Sequence, residues 1–579
     1  MTTTEGETNM ANYYQATAMN LLSFAVQKLF PDAIFAGGRI EQRGFSCDFR
    51  REKAFEKSEL KKIEKELKRV IKNNYPIESI SRGYAQAASA FEGNEYVLTL
   101  LEEEIKHNEV VVTQICGIYT GFAANVFEHT GDVFMVKVLT SSAAYWQNNE
   151  NNVSLQRIHA IAFASEEEKD AYEKLMEEIA MRDNRKIGRE LELFFFDDTA
   201  PGMPYWLPKG MKMYNVLVDF WRKEHEKRGY QEFSAPQLNN SQLWKTSGHW
   251  DHYMDSMFVF KDEDGTEQAL KPMSCPNAIK IYQSKTRSYK DLPLRFNDVD
   301  VIHRKEKSGE LSGLLRVRMF RQDDSHNFVM PEQIGSEVKN ILDIAKRFYG
   351  VFGLTFTPTL STRPASFIGE ISVWDEAEAA LKAVLDEMYD GNYKIKHGDG
   401  AFYGPKIDIQ MKDALGREWQ MGTIQLDFQL PKRFNISYVD KDGEHKTPVI
   451  IHRVIYGSLE RFIGIITEHF AGDFPTWFTP VQVRVLPINS DNIEYARSVR
   501  ETLIDLGFRV EIDEKNAKLS KKIMDAEKMK IPYLLIIGNA EVENNTVTVR
   551  SRRVGDLGSD TLEGFVKKLY EEVSNYRLP

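Results

Sequence analysis

The chain has 579 residues, of which 42% are hydrophobic and 28% charged, and its formal net charge is −11 at pH 7. This length predicts about four domains, and the composition is typical of a soluble globular protein. Three cysteines exclude a disulfide framework and favour a reducing, cytoplasmic compartment. No apolar run is long enough to predict a membrane span. Because the chain is acidic, any RNA binding must depend on local basic patches.

The first 165 residues alternate helical and strand-like segments. Residues 13–30 carry apolar side chains at three- and four-residue spacing, which predicts a helix with one buried face. A second, strongly amphipathic helix is predicted for SELKKIEKELKRVIKNN. Strands are predicted for VVVTQICGIYTGF and VFMVKVL. We therefore expect a compact α+β domain over 1–165, followed by a charged helical linker over 166–200.

A proline-rich segment, PGMPYWLPKGM, marks the start of the next domain. Helices and β-rich segments are interleaved over 201–478, and PTWFTPVQVRVLP marks the end of this domain. Residues 479–579 alternate strand and helix in a βαβαβ pattern, which predicts an open sheet with helical crossovers.

Three residues that could ligate a metal lie in separate segments of the central region. They are Cys275 in KPMSCPNAIK, His326 in RQDDSHNF and His452 in VIIHRVIYGSLERF. Their spacing alone favours a buried thiol and two hydrogen-bonded histidines. A cysteine and two histidines are also a sensible ligand set for a catalytic zinc that keeps positions open for a substrate.

A charged segment, VIHRKEKSGELSGLLRVRMFRQDDSHNF, precedes and includes His326. The alternation in LLRVRMF predicts a strand with Arg316 and Arg318 on one face. Clustered guanidinium groups suit a polyphosphate, although a salt-bridged surface hairpin is the alternative. The chain has no GxxxxGK[ST] motif, so arginines and a metal would have to hold any nucleotide here.

Several of these segments resemble the three signature motifs of class II aminoacyl-tRNA synthetases. GYQEFSAPQL, with Pro236, resembles motif 1, HRKE with LLRVRMF resembles motif 2, and GSLERF resembles motif 3. More narrowly, TSGHWDHYMDSMF, KPMSCP, LSTRP, GAFYGPKIDI and GREWQMGTIQLDF resemble the threonyl-tRNA synthetase family. The resemblance covers residues 10–579.

The resemblance implies an α+β multidomain fold. An α+β editing-like domain would span 1–165, an antiparallel-sheet catalytic domain 201–478, and an α/β anticodon-binding domain 479–579. The implied reaction is ATP-dependent activation of threonine and its transfer to threonine tRNA. The implied cofactors are Zn²⁺, held by Cys275, His326 and His452, and Mg²⁺ bound with ATP. Motif 1 implies a homodimer.

The resemblance also implies roles for individual residues. The expected catalytic residues are Arg304, Arg461 and Lys406. The expected ATP-binding residues are Glu306, Arg316, Phe320, Gln420 and Ser458. The expected threonine-binding residues are Asp324, Gln322, Tyr403, Gln425 and Met273. The expected anticodon-binding residues are Asn516, Glu543 and Arg552, although a solvated polar surface would explain those three as well.

The N-terminal domain departs from the family at four positions. Family members carry HxxxH on the first helix, and a Cys and a His four residues apart on a later loop. The matching positions in this chain are Ala16, Asn20, Phe122 and Val126. The resemblance therefore predicts a degenerate editing domain that does not hydrolyse seryl-tRNA. The family's N-terminal ubiquitin-like domain is expected to be absent.

Further departures from the family pattern lie near the expected active site, at Asn277, Ala278, Met319, Arg321 and Met421. These departures leave open the alternative that the protein is a duplicate synthetase that resists an active-site inhibitor. A non-translational RNA-binding paralogue is the other alternative, and it predicts loss of ATP or zinc residues that this sequence retains.

Overall fold

The computed structural model describes residues 5–41, 43–104, 110–122, 125–149 and 152–579. The chain divides into two compact units, Met1–Glu177 and Glu178–Pro579. Among the helices in these ranges, we find none with both the length and the apolar character that crossing a bilayer requires.

The first unit combines helices with two antiparallel sheets. Its helices are Glu5–Leu29, Lys57–Asn73, Tyr84–Ala90 and Glu95–Glu104. The four-stranded sheet has the order Ile34–Ile40, Phe45–Arg50, Ser154–Phe163 and Met135–Tyr145. The three-stranded sheet has the order Ile77–Arg82, Val110–Ile115 and Ile118–Phe122. Leu22, Ala25 and Val26 of the predicted apolar face are fully buried in the core. Residues 16–18 and 20–26 are all buried, however, so the first helix is covered on more than the one face that its spacing predicts.

An eight-stranded sheet forms the centre of the second unit. Its strand order is Gln231–Glu232, Leu294–Asp298, Asp324–Val329, Val449–Val454, Glu418–Asp427, Lys406–Lys412, Phe356–Ser361 and Lys394–Lys396. All neighbouring strands are antiparallel except the outermost pair at each edge. The predicted antiparallel catalytic sheet is therefore confirmed.

Helices bury apolar side chains against this sheet. The longer ones are Pro208–Glu226, Ile334–Gly350, Ile371–Tyr389 and Leu459–His469. Phe348, Tyr456 and Phe462 are fully buried between them and form part of the largest core cluster. Shorter elements of this unit include a small sheet of Leu238–Asn240, Glu267–Leu270 and Val259–Lys261, and the helices Ser241–Ser247 and Cys275–Tyr282.

The segment LLRVRMF differs from its predicted structure. The hairpin strands are Val301–His303 and Met319–Arg321, so Arg316 and Arg318 precede the strand rather than share one of its faces. Gly313 has a φ of +51°, and a Cβ there would lie 2.5 Å from Asn184 Oδ1. This tight turn, together with ion pairs from Arg316 to two glutamates, overrides the alternating pattern.

The C-terminal part of the second unit confirms the predicted βαβαβ pattern. Its sheet has the order Val510–Ile512, Val483–Pro487, Tyr533–Ile537, Thr546–Ser551 and Gly555–Thr561. The first three strands are parallel and the remaining pairs are antiparallel. The helices are Ile493–Asp505, Leu519–Lys528, Asn539–Asn544 and Leu562–Ser574.

Candidate active site

The fold brings together the three candidate metal ligands. His326 and His452 lie directly opposite each other on the neighbouring strands Asp324–Val329 and Val449–Val454. Cys275 is the first residue of a short helix, Cys275–Tyr282, that packs against these strands. One ligand atom from each of the three residues lies within 4.8 Å of the other two.

The hydrogen bonding of these residues fits a metal. Both ring nitrogens of His326, which is fully buried, and Nδ1 of His452 have no hydrogen-bond partner. Burial lowers the pKa of His326, so its ring is neutral, as a metal ligand must be. His452 Nε2 lies 2.8 Å from Asp427 Oδ2, which leaves Nδ1 free to ligate. A Cys/His/His set with unpartnered nitrogens fits zinc.

A buried pair of carboxyl groups adjoins this cluster. Asp298 and Asp324 lie opposite each other in the sheet register, and each offers an oxygen within 4.8 Å of a His326 nitrogen. Burial raises the pKa of Asp324 to about 6 and that of Asp298 well above its usual range. Two such neighbouring groups cannot both ionise at low cost unless a cation lies beside them.

A pocket of about 330 Å³ opens above the metal ligands. Its walls include Cys275 and His452 and all five predicted threonine-binding residues, Met273, Gln322, Asp324, Tyr403 and Gln425. Arg304 and Lys406 also line it. The pocket therefore offers cations for a carboxylate and acceptors for a hydroxyl and an amino group.

A second pocket, of about 620 Å³, contains the predicted ATP-binding residues. All five line it, namely Glu306, Arg316, Phe320, Gln420 and Ser458, together with Arg304 and Arg461. The guanidinium carbon of Arg304 lies 5.3 Å from the centre of the Phe320 ring. Arg316 forms ion pairs of 2.8 Å with Glu306 and with Glu310. Glu306, one of the residues expected to bind ATP, is thus paired with an arginine here.

Arg461 provides an unpaired cation in this second pocket. Its Nε is buried and has no hydrogen-bond partner, and its guanidinium carbon lies 5.4 Å from the centre of the Trp419 ring. Burial, and then the charge of Arg316, lower its pKa, yet it stays charged at neutral pH. The backbone N–H of Arg461 donates to Ser458 Oγ at the start of its helix. A buried guanidinium that lacks an anion suits a polyphosphate.

The two pockets share part of their walls. Arg304, Gln322, Thr423 and Val454 line both of them. An amino-acid carboxylate in the first pocket and a nucleotide phosphate in the second would therefore meet beside Arg304. This arrangement suits the joining of a carboxylate to a phosphate.

The predicted anticodon-binding residues lie in the C-terminal sheet domain. Asn516 and Glu543 are exposed on its surface. Arg552 is half-buried and forms an ion pair with Asp473, the residue that also pairs with Arg553. Two of the three candidates are thus open to solvent, and the third has an internal partner.

The four positions expected to match the family's editing residues lie in the first unit, and none of them is a histidine or a cysteine. Asn20 Oδ1 accepts hydrogen bonds from Thr113 Oγ1 at 2.5 Å and Thr120 Oγ1 at 2.7 Å. Its amide nitrogen donates to the carbonyl of Ala16 at 2.9 Å. Phe122 and Val126 pack against the hydrophobic core. The polar atoms of Asn20 are therefore already used within the protein.

Sequence reasoning missed two buried aspartates of the site. Asp427 orients His452 and also accepts from the backbone N–H groups of Gln429 and Leu430. Asp408 contacts Lys406 and Gln420. Asp408 in GPKIDI lies two residues after Lys406, so strand alternation could have placed both on one face. No sequence signal links Asp427 to a histidine 25 residues later.

Two family models match the second unit. The class II tRNA synthetase core domain (G, H, P, S and T) matches residues 258–470. The anticodon binding domain matches residues 482–572.

Curated relatives match nearly the whole chain. The threonine–tRNA ligase of Caldanaerobacter subterraneus subsp. tengcongensis is 46% identical over 98% of this chain and 88% of its own length. This chain belongs to the threonine–tRNA ligase family. The threonine–tRNA ligase of Acetivibrio thermocellus is 45% identical over 97% of this chain and 88% of its own length.

A solved structure supports the same family membership. The RNA-binding domain of threonyl-tRNA synthetase from Cryptosporidium parvum has a TM-score of 0.65 and 45% identity. The match covers 67% of this chain and 98% of that one. As a family member, the chain is an aminoacyl-tRNA ligase of class II, a class that uses ATP with Mg²⁺.

Proposed function

We propose that this protein activates threonine with ATP and transfers it to threonine tRNA. The observation that carries the proposal is the pair of adjoining pockets. One combines the Cys275, His326 and His452 cluster with Asp324, the other contains the unpaired Arg461, and Arg304 lies in both.

The side chains of the site suit this reaction. Arg304 would hold the carboxylate of the amino acid beside the α-phosphate, and Arg461 would neutralise the outer phosphates. Lys406, which also lines the first pocket, would add a second cation beside the reacting groups. Positioning of the two substrates and neutralisation of phosphate charge are the main requirements of such a transfer.

Selection of threonine would depend on the metal cluster and on Asp324. When bound, a zinc ion held by Cys275, His326 and His452 supplies positions for an amino group and a hydroxyl, and valine lacks the hydroxyl. Asp324 would accept a hydrogen bond from that hydroxyl. A site built for a hydroxyl rejects the analogue without it strongly, because its buried polar groups are then unpaired.

Serine presents the same two groups and lacks only one methyl group. Losing a methyl contact is worth about 1–3 kcal/mol, roughly 10–200-fold. We therefore propose that the protein activates serine measurably and does not hydrolyse seryl-tRNA. The proposal is supported by Ala16, Asn20, Phe122 and Val126, which offer no general base or nucleophile.

We also propose a homodimer formed through motif 1. Pro236 and Leu238 in this motif are exposed. A cavity of about 380 Å³ lies between this segment and the Pro208–Glu226 helix, lined in part by Tyr214 and Gln237. Such an interface would be isologous, with the same patch on both subunits. Sedimentation at micromolar concentration that gives only a 66.7 kDa species would contradict it.

The proposed domains are an editing-like domain over 1–165, a linker over 166–200, a catalytic domain over 201–478 and an anticodon-binding domain over 479–579. A cytoplasmic location is proposed from the three cysteines. Met421 lines the second pocket rather than the first. If the protein is an inhibitor-resistant duplicate, we therefore expect the change in inhibitor binding to lie in the pocket of the predicted ATP-binding residues.

ATP–pyrophosphate exchange with a panel of amino acids tests the proposed function. We expect exchange with threonine, weaker exchange with serine and none above background with valine. Arg461→Ala should lower the threonine rate about a hundredfold. Arg497→Ala is the control, because Arg497 is an exposed arginine of the C-terminal sheet domain that pairs with Glu514 and lines neither pocket. Exchange with no amino acid, or best exchange with a different one, would refute the proposal.

A further inference from the structure

A single buried carboxylate, Asp408, contacts side chains of both pockets. It is fully buried at the centre of the Lys406–Lys412 strand. Its Oδ2 lies 3.0 Å from Lys406 Nζ and accepts from Ser361 Oγ at 2.9 Å. Its Oδ1 accepts from Gln420 Nε2 at 2.7 Å and Thr423 Oγ1 at 3.1 Å. Donors from three neighbouring strands thus converge on one side chain.

A β-bulge makes this convergence possible. Ile409 pairs with Gly422, and Gln410 pairs with Gln420, so Met421 is an extra residue in its strand. Gln420 and Thr423 are three residues apart and would face opposite sides of a regular strand, because side chains alternate. An extra residue between them turns both toward Asp408.

The contacts of Asp408 reach both pockets, and Thr423 lines both of them. Lys406 lines the first pocket and Gln420 lines the second. We propose that Asp408 is a positioning residue that fixes the side chain of Lys406 relative to that of Gln420. The amino acid bound beside Lys406 and the nucleotide bound beside Gln420 would then be held at a fixed distance and orientation. This inference rests on the proposed function. Asp408 lines neither pocket, so it would act only through its partners.

The physical reason lies in the flexibility of the two partners. Lysine has a four-carbon stem whose rotamers are free unless a partner fixes them. A charge-assisted hydrogen bond to a buried carboxylate fixes the ammonium group more firmly than a neutral partner does. A misplacement of about 1 Å at a reacting group costs about a hundredfold in rate.

Asp408→Asn tests the inference, because asparagine has the same side-chain shape as aspartate. It removes the negative charge and replaces one acceptor oxygen with an NH₂ group, which cannot accept hydrogen bonds from the donors around it. We expect the kcat of threonine-dependent pyrophosphate exchange to fall about 10–100-fold. The KM values for threonine and ATP should each change less than about threefold, since the loss falls on alignment rather than on binding.

Double-mutant cycles separate positioning from a general loss of structure. Asp408→Asn should cost less than about threefold in a Lys406→Ala background, and its cost should also shrink in a Gln420→Ala background. Thr359→Val is the matched control. Thr359 lies opposite Asp408 in the sheet, is buried, and has a hydroxyl without a partner, so kcat should not change.

If Asp408→Asn does not fold, Ser361→Ala replaces it, since it removes only one donor to Oδ2. Ser361→Ala should lower kcat about fivefold, the effect of one lost hydrogen bond. That decrease should disappear in a Lys406→Ala background and remain in a Gln420→Ala background. Losses that multiply in every cycle, or an unchanged kcat in Asp408→Asn, would overturn the inference. Wild-type protein that does not activate threonine would instead refute the proposed function.

Discussion

His326 and His452 face each other across adjacent antiparallel strands, with ring centres 5.0 Å apart and ring planes at 89°. The two residues are 126 positions apart in sequence, so only the sheet register brings them together. Cys275 completes the set from the end of a helix. The proposed zinc site therefore depends on the strand pairing at the centre of the catalytic sheet.

We expect the purified protein to hold one zinc ion per chain, and Cys275→Ala to lose most of it. The reason is that a site with two remaining histidines lacks the thiolate that zinc favours. Metal analysis of the dialysed protein measures this directly. Cys116→Ala is the control, because Cys116 is exposed and should have no effect on zinc content. Full zinc content in Cys275→Ala would contradict the assignment.

Arg552→Ala should weaken aminoacylation about tenfold while sparing ATP–pyrophosphate exchange. Exchange does not require tRNA, whereas charging does, and one lost base or phosphate contact is worth about 1–3 kcal/mol. Arg497→Ala, an exposed arginine of the same domain that pairs with Glu514, is the control and should change neither rate. Equal loss of both activities in Arg552→Ala would indicate a folding defect or a wrong role.

Seryl-tRNA should be hydrolysed by this protein no faster than in buffer. Deacylation of pre-formed seryl-tRNA measures it, in a preparation free of other deacylases. Asn20→Ala should leave that rate unchanged but destabilise the first unit by about 1 kcal/mol, because it removes the nearest acceptor of the Thr113 and Thr120 hydroxyls. The cost stays small because Thr113 still donates to the carbonyl of Gly121 and Thr120 to the carbonyl of Thr113. Rapid hydrolysis that survives Asn20→Ala would overturn the alignment of the editing positions.

Glu460 should make the stability of the second unit depend on pH. Burial raises its pKa to about 7, while the unfolded chain has an ordinary glutamate. Between about pH 4.5 and 7 the folded state therefore binds more protons than the unfolded state, and stability falls as pH rises. The glutamine in Glu460→Gln does not ionise, so this variant does not lose stability in this way as pH rises. The difference in thermal unfolding midpoint, Glu460→Gln minus wild type, should therefore increase from pH 5 to pH 8. A pH-independent difference would contradict the shift.

Much of the fold was predictable because the hydrophobic periodicity is clear. The first helix, the charged second helix and the C-terminal βαβαβ pattern all have long, regular spacing of apolar residues. The strand predicted over Arg316 and Arg318 was wrong, because a glycine turn and local ion pairs are stronger than two alternating arginines. In a short polar segment the alternation of side chains is too weak a signal to predict a strand, and such local contacts decide the backbone conformation.

The site was predictable only in part. Residue type alone marked Cys275, His326 and His452 as possible metal ligands, the resemblance to a family implied that they hold one zinc ion, and the structure brings them together. Asp408 could not be assigned a role from sequence, because its contact with Gln420 depends on the bulge at Met421, and a bulge leaves no reliable trace in residue order. Asp427 contacts His452 only through strand pairing.

Aminoacylation of threonine tRNA is the most direct test of the central claim. The purified protein should attach labelled threonine to a threonine tRNA transcript in the presence of ATP and Mg²⁺. The same transcript with a substituted anticodon should be charged far less. Charging with threonine that exceeds charging with serine, and no charging with valine, is the predicted result. No charging of threonine tRNA by a zinc-loaded protein, or equal charging with valine, would contradict the account.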